Sequence, residues 1–344
     1  MRYTKDETES CTANGVNTVA GLLVADPSVV NQSDCLNNRS NVVNASANNV
    51  SSEEVTWSAG INWQITEELF TYLVSRHGYR AGGVNGPTFS GRLASYQSFD
   101  PETVTDVELG LRADWSVGDI DIRSNLSAFL GQYENVQSTL TGVQTSALCD
   151  PANFNNAPGI SPDGDCDISN DPNGGSILVN VGESEVSGID FDVQVALTPN
   201  LLVNFGGNYL DMKTNKYTLP DVFSPYTANR QINFDLAAEK SFVAGIRYEL
   251  MGWSFSEGVV INVDYYWTDE MVYSDRKLPS YDLTNLRIDI NNLMASKVDL
   301  SVFVRNVFDD EYANSASSAG TFIGITSLVY GAPRMFGAEI RYSF

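Results

Sequence analysis

The feature that most restricts this chain is a period of two. In "VTWSAGINWQI", Val55, Trp57, Ala59, Ile61, Trp63 and Ile65 fall on one side, and Thr56, Ser58, Asn62 and Gln64 on the other. Val107, Leu109, Leu111, Ala113 and Trp115 are set against Glu108, Arg112 and Asp114 in the same way. Val259, Ile261, Val263, Tyr265 and Trp267 oppose Asn262, Asp264 and Tyr266, and Val298, Leu300, Val302 and Val304 oppose Asp299, Ser301 and Arg305. Side chains alternate between two faces only in a β-strand, so each stretch reads as a strand with one apolar face. The pattern runs to the last residue, with Phe336, Ala338, Ile340, Tyr342 and Phe344 alternating with Gly337, Glu339, Arg341 and Ser343. Termini are ordinarily frayed and polar, so the final segment is expected to be tied into a sheet. In a soluble sandwich the apolar faces would meet a second sheet; in an outer-membrane barrel they would meet lipid, with the polar faces toward the lumen. Charges placed directly on the polar faces favour the barrel, because a packed core does not tolerate them unpaired.

About twelve strands are expected, at 1–8, 54–65, 68–80, 102–115, 120–137, 176–197, 201–213, 240–251, 258–272, 280–291, 297–309 and 334–344. Long polar links cover 9–53, 81–101, 138–175, 214–239 and 310–333, with a shorter one at 273–279. They alternate with brief turns near 66–67, 116–119, 198–200, 252–257 and 292–296. Such alternation is produced by an antiparallel meander through a membrane, with extended loops outside and tight turns on the periplasmic side. Aromatics near strand ends fit two interfacial girdles: Trp57, Trp63, Tyr72, Tyr79, Trp115, Tyr133, Trp253, Tyr265, Tyr266, Trp267, Tyr342 and Phe344. The fold class is therefore all-β, an antiparallel transmembrane β-barrel.

Composition excludes several function classes. Twenty Lys and Arg against 43 Asp and Glu give a net charge of -23, which argues against nucleic acid as a partner. A single histidine, His77, leaves little for acid–base chemistry, and no Gly-x-Ser-x-Gly nucleophile motif is present. No catalytic residue and no cofactor are assigned, and His77 reads as an interfacial or loop polar residue. No run of about 18 apolar residues occurs, so no transmembrane helix is expected. "MRYTKDETES" lacks the basic, apolar and cleavage regions of a signal peptide, which suggests a mature segment or a piece of something longer.

Cys11 and Cys35, and Cys149 and Cys166, fall as two pairs within polar stretches. They read as two local loop-closing disulfides, the other reading being four separate thiols of a reducing compartment. "DGDCDISND" places Asp163, Asp165 and Asp167 at a spacing of two, as calcium loops do. It has Ile168 and Gly174 where an EF-hand requires Gly and Glu, so a solvated acidic loop is the default and no metal is assigned. "GYRAGGVNG" (78–86) lacks the following helix of a phosphate loop. It reads as a strand bending into an outer loop, with Arg80 and Asn85 available to a ligand. Lumen-side candidates for ligand contact are Arg112, Asn125, Asn204, Asn208, Asn262, Asp264, Tyr266 and Arg305. The plainer reading is that such walls are polar because they are wet.

Several stretches together resemble one family. "SRHGYRAGGVNG" (75–86), "FDPETVTDVELGLRADW" (99–115), "NVGESEVSGIDFDVQVALTPNLLVNFGGNYLD" (180–211), "NVFDDEY" (306–312) and "GAPRMFGAEIRYSF" (331–344) are similar, in order, to the C-terminal barrel half of TonB-dependent outer-membrane receptors. The siderophore-receptor branch is the nearest in character. The resemblance implies a location in the bacterial outer membrane, contact with its lipid and lipopolysaccharide, and uptake of a siderophore or other small nutrient. It also implies coupling to the TonB complex through a plug region not found in residues 1–344, and a C-terminal signal, Phe336, Ile340, Tyr342 and Phe344, read by the barrel-assembly machinery. On this reading residues 1–344 are the C-terminal portion of a barrel of ~22 strands. A passive porin-like channel and a non-transporting surface binding or adhesion barrel are the alternatives.

Overall fold

The computed structural model describes residues 1–13, 17–19, 22–24, 45–85, 95–143, 175–219, 234–252, 255–273, 276–295, 297–317 and 327–343. Twelve antiparallel strands form one sheet in chain order. They are β1 (Arg2–Ala13), β2 (Ala45–Gln64), β3 (Leu69–Arg80), β4 (Glu102–Val117), β5 (Ile120–Glu134) and β6 (Gly182–Thr198). After these come β7 (Leu201–Tyr217), β8 (Lys240–Met251), β9 (Gly258–Thr268), β10 (Tyr281–Asn291), β11 (Val298–Arg305) and β12 (Met335–Tyr342). Strands β1 and β12 are the two edges, and among the described residues they do not pair with each other.

The register keeps the two faces separate along the whole sheet. Ile61 lies opposite Leu73 and Leu73 opposite Leu109; Leu111 meets Leu126, and Leu126 meets Phe191. Farther along, Ile246 meets Val263 and Val302 meets Ala338. Ile61 is 70%, Leu109 56%, Phe336 75% and Ile340 73% exposed, so among the described residues no second layer covers this face at these positions. On β4 the face runs from Val107 to Val117, which at ~3.4 Å per residue and a tilt of ~40° covers roughly 26 Å, close to the apolar band of an outer-membrane wall. Phe336, Ile340 and Tyr342 stand on this face, and Glu339 and Arg341 on the other. Phe344 lies outside the described residues.

Side-chain oxygens and glycine close the short turns. Thr66 Oγ1 accepts from the backbone N–H groups of Glu68 and Leu69 at 3.2 and 3.1 Å. Between Val117 and Ile120 the chain reverses through Gly118, whose φ of 63° suits a residue without Cβ.

The long links hold more structure than their polarity suggests. β1 and β2 run to Ala13 and back from Ala45, deep into the stretch read as a loop. Short hairpins pair Gln137–Val143 with Gly175–Asn180, Met271–Tyr273 with Arg276–Leu278, and Ala313–Ser317 with Ser327–Tyr330. Strands expected to be continuous break where the backbone turns left-handed: Asn135 (φ 54°) ends β5, and Asn306 (φ 53°) ends β11. The hairpin strand Gly175–Asn180 and β6 are parted at Val181, and β6 begins at Gly182 with φ 144°.

Among the described residues the two clusters of buried apolar side chains lie in these links, while in the wall Val259 and Val260 at the start of β9 are buried. Val136, Leu140, Ile177, Val179 and Val181 form one cluster, flanked by Tyr96, Tyr133, Tyr217, Leu219 and Phe234. Leu278, Ala313 and Ala316 form another, flanked by Met271 and Tyr273.

Candidate functional site

The face opposite the apolar band is the candidate site. Residues directly across a sheet share a face, so pairing places Arg112 beside Asn125, Asn208 beside Asp190, and Asn262 beside Arg287. Asp264 lies beside Asn285 and Tyr266 beside Leu283 on that same face. Arg80, Asn204 and Arg305 belong to it through their pairs with Glu102, Gln194 and Met335. The sequence candidates for ligand contact therefore share one surface, apart from Asn85, and they fall into two groups along it.

In the first group, Arg76 spans two carboxylates, its Nε donating to Asp106 at 2.9 Å and its Nη2 to Glu108 at 2.6 Å. The Tyr72 hydroxyl donates to the other oxygen of Glu108 at 2.6 Å. Arg112 lies over the rings of Phe70 and Tyr72, with its guanidinium carbon 5.9 and 5.8 Å from their centres. Asn125 donates to Asp192 at 3.3 Å, and the Ser241 hydroxyl donates to the side-chain Oδ1 of Asn208. Nearer the short turns, Arg123 grips Asp114 at 2.6 Å.

In the second group, Arg287 bonds Asp289 at 2.7 Å and the Ser301 hydroxyl at 2.7 Å, and pairs with Glu339 at 3.4 Å. Arg341 meets the other oxygen of Glu339 at 3.4 Å, and Asn262 donates to Asp289 at 3.3 Å. Toward the long loops, the rings of Tyr266, Tyr281 and Tyr312 follow one another at 5.9 and 4.7 Å. Arg305 lies 5.5 Å from the centre of the Phe303 ring.

Half-exposed ion pairs of this kind contribute only about 0–1 kcal/mol each to stability. Their effect is to make a wet surface in which most cations are neutralised locally. Glycines set how closely the large side chains lie on it: a Cβ on Gly110 would stand 2.1 Å from the Tyr72 ring, and one on Gly337 2.2 Å from Phe303.

Asn85 is placed differently. It is buried, and both its amide hydrogens are engaged, by the carbonyls of Tyr96 (3.0 Å) and Leu178 (2.9 Å), while its oxygen accepts from Leu178 N–H at 2.7 Å. That geometry is a staple between loops, in place of the free ligand contact expected. Tyr72, Tyr133 and Tyr266 leave the expected girdle, because the register turns Tyr72 and Tyr266 onto the polar face and Tyr133 packs under the loop core, while Trp253 lies outside the described residues. His77 does sit on the lipid-side face, stacked on Trp57 and 2.8 Å from the Thr105 hydroxyl. Cys35, Cys149, Cys166, Asp163, Asp165 and Asp167 lie outside the described residues, so the pairing of Cys11 with Cys35 does as well. Sequence reading missed Arg76, Glu108, Arg287, Glu339, Tyr281 and Tyr312; the phase that Arg76 shares with Arg80 and Glu108 with Arg112 was an available signal for those two, alternation against the apolar residues of their own strands was one for Arg287, Glu339 and Tyr281, and Tyr312, outside the strands, carried none.

The "NVFDDEY" stretch folds into a clamp. Asn306 is buried, donates to the carbonyls of Asp310 (2.8 Å) and Ala332 (3.3 Å), and accepts from Asp310 N–H at 2.9 Å. Asp309 accepts from Arg334 N–H at 2.8 Å, which ties the end of β11 to the start of β12.

A meander with a bare apolar outside, a charged inside, tight turns at one end and folded loops at the other defines the wall of an outer-membrane β-barrel. The profile of the TonB-dependent receptor-like β-barrel family matches residues 12–307, and the chain belongs to that family. No curated protein sequence matches it. Solved structures share its fold at low identity. The ferric yersiniabactin uptake receptor FyuA of Yersinia pestis aligns with a TM-score of 0.61 at 14% identity, over 87% of this chain and 39% of its own. The ferric preacinetobactin receptor BauA of Acinetobacter baumannii gives 0.57 at 16%, over 89% and 38%. The copper transporter OprC gives 0.55 at 16%, over 88% and 40%. The chain thus spans about two fifths of the length of these structures.

Proposed function

We propose that this chain is the C-terminal part of the barrel of an active outer-membrane receptor that captures and imports a scarce, bulky nutrient, in first place a ferric siderophore. The observation that carries the reading is the polar face: twelve strands of an outer-membrane wall present a continuous charged and aromatic inner surface with folded loops above it. Membership of the TonB-dependent receptor family supports it. So do the uptake receptors among the similar structures, each of which is matched over most of this chain and less than half of its own length. In this reading a plug region lies elsewhere in the protein, energy comes from the TonB complex, and the outer face meets lipid and lipopolysaccharide after insertion by the barrel-assembly machinery. Arg80, Arg112, Asn208, Asp264, Tyr266 and Arg305 on the inner wall meet the ligand. Transport, rather than catalysis, is the work of such a surface.

The test is uptake of iron-loaded siderophores and of copper by cells expressing the full-length protein, with and without a functional TonB system. Saturable, TonB-dependent uptake of a ferric siderophore is the expected result. Uptake of copper alone would move the substrate; steady ion conductance without saturable binding would replace the receptor by a passive channel. Surface binding without uptake would make it an adhesion barrel.

A further inference from the structure

We infer that the loops on the long-loop side form two prefolded modules joined mechanically by residues 234–238. The first module gathers the links after β3, β5 and β7 around Leu140, Ile177 and Val181. It is stitched by Asn85, by Gln137 donating to the carbonyls of Ala81 and Asp100 at 3.0 Å each, and by Asn180 donating to Asp100 and Asn135 at 2.9 and 2.7 Å. The second gathers the links after β9 and β11, where Leu278 is buried against Ala313 and Ala316.

The joining segment has an anchor in each. Phe234 packs on the first core, its ring edge-on to Tyr133 at 6.3 Å. Two residues later the N–H of Leu236 donates to the carbonyl of Val272, in the hairpin of the second module, at 2.8 Å. Between them the chain turns on itself, Ala237 N–H donating to Phe234 carbonyl at 3.3 Å, and Ala238 is buried behind the turn. Leu236 has φ 61°. A leucine is seldom found in that left-handed region, and such a conformation persists only where the surroundings over-determine it. Here the two anchors do so, since relaxing Leu236 would withdraw either Phe234 from the first core or the N–H from Val272. The segment is therefore short, strained and held at both ends, which is what transmits a displacement instead of absorbing it. A ligand that shifts one module shifts the other, without any contact of its own to the second. This inference stands apart from the identity of the transported substrate.

Hydrogen exchange read by mass spectrometry on the detergent-solubilised full-length protein tests it. Phe234→Ala is expected to speed exchange at least tenfold in 271–278 as well as in 177–181, while Ile288 and Ile290 of β10 keep their protection. Faster exchange in 177–181 alone, or no change in either, would overturn the coupling. If the β10 amides also lose protection, the milder Phe234→Leu decides by the same two readings. Leu236→Gly, which keeps the left-handed turn, is expected to leave 271–278 protected; loosening equal to that of Phe234→Ala would show that the leucine side chain, not the joined segment, holds the second module.

Discussion

The phenol of Tyr72 reaches across from β3 to donate a 2.6 Å hydrogen bond to Glu108 on β4, and it does so lying flat over Gly110, the residue paired directly opposite it. Position 110 has to be glycine for that path to be open. A Cβ there would overlap the ring at 2.1 Å. Gly110→Ala is expected to expel Tyr72 from Glu108 and to cost about 1–3 kcal/mol, the usual range for overpacking. Urea unfolding in lipid vesicles measures it. A second substitution, Tyr72→Ala, should remove most of the effect of the first, and simple additivity of the two would refute the contact.

The face assignment makes a sharper prediction. Leu109 and Asn125 lie within the span of the wall, Leu109 on the bare apolar face and Asn125 on the charged one. Leu109→Arg should destabilise the barrel by about 2–4 kcal/mol, as arginine does near the bilayer midplane on the lipid side. Asn125→Arg, placed beside Asp192, should cost far less. Equal losses from the two variants in the same vesicle assay would mean that the faces are exchanged.

Asn85 predicts a local effect. Its removal takes a hydrogen-bond partner from the Leu178 N–H and from the carbonyls of Leu178 and Tyr96 in a buried place. Asn85→Ala is expected to cost about 1–3 kcal/mol of local stability, read as faster amide exchange at 177–180. Protection there should survive Arg80→Ala, whose side chain is exposed on the inner wall. Unchanged exchange in Asn85→Ala would restore Asn85 to the candidates for ligand contact.

The Asn306 clamp separates backbone from side chain. At φ 53° asparagine is tolerated and alanine is strained, while glycine is free. Asn306→Ala loses both the bonds and the conformation, Asn306→Gly the bonds alone. Folding yield should fall in the order wild type, Gly, Ala, with the step to Gly worth roughly 1–3 kcal/mol from the unpaired buried groups. A Gly variant indistinguishable from wild type would reduce the clamp to backbone geometry.

Much of the wall was legible without coordinates. The strand expected at 240–251 is Lys240–Met251, and every residue named on the apolar side of β2, β4, β9, β11 and β12 that the structure describes stands there. Alternation is local information, since the face of a residue in a strand follows from its phase alone once one face is known to be apolar. The tight turns were legible for the same reason, as in Gly118, where composition and conformation coincide.

The loops were not, and the reason is physical. Leu140 and Leu278 are isolated apolar residues in polar surroundings, Ile177 belongs to a short apolar run that reads as plain strand, and the burial of all three depends on contacts between links far apart in the chain. Asn85 illustrates the limit: its chemistry suits a ligand as well as it suits a backbone carbonyl, and only the arrival of Leu178, 93 residues away, spends that capacity on structure. Alternation together with loop lengths was enough to read an antiparallel membrane wall and the face of each residue in its strongly alternating strands, because a period of two needs no knowledge of neighbours. Which lumen residues meet depends on the folded sheet, as Arg287 on β10 meets Glu339 on β12 past the intervening β11. Tertiary structure also decided that the links gather into two cores, because strand register and loop packing join residues that no local pattern relates.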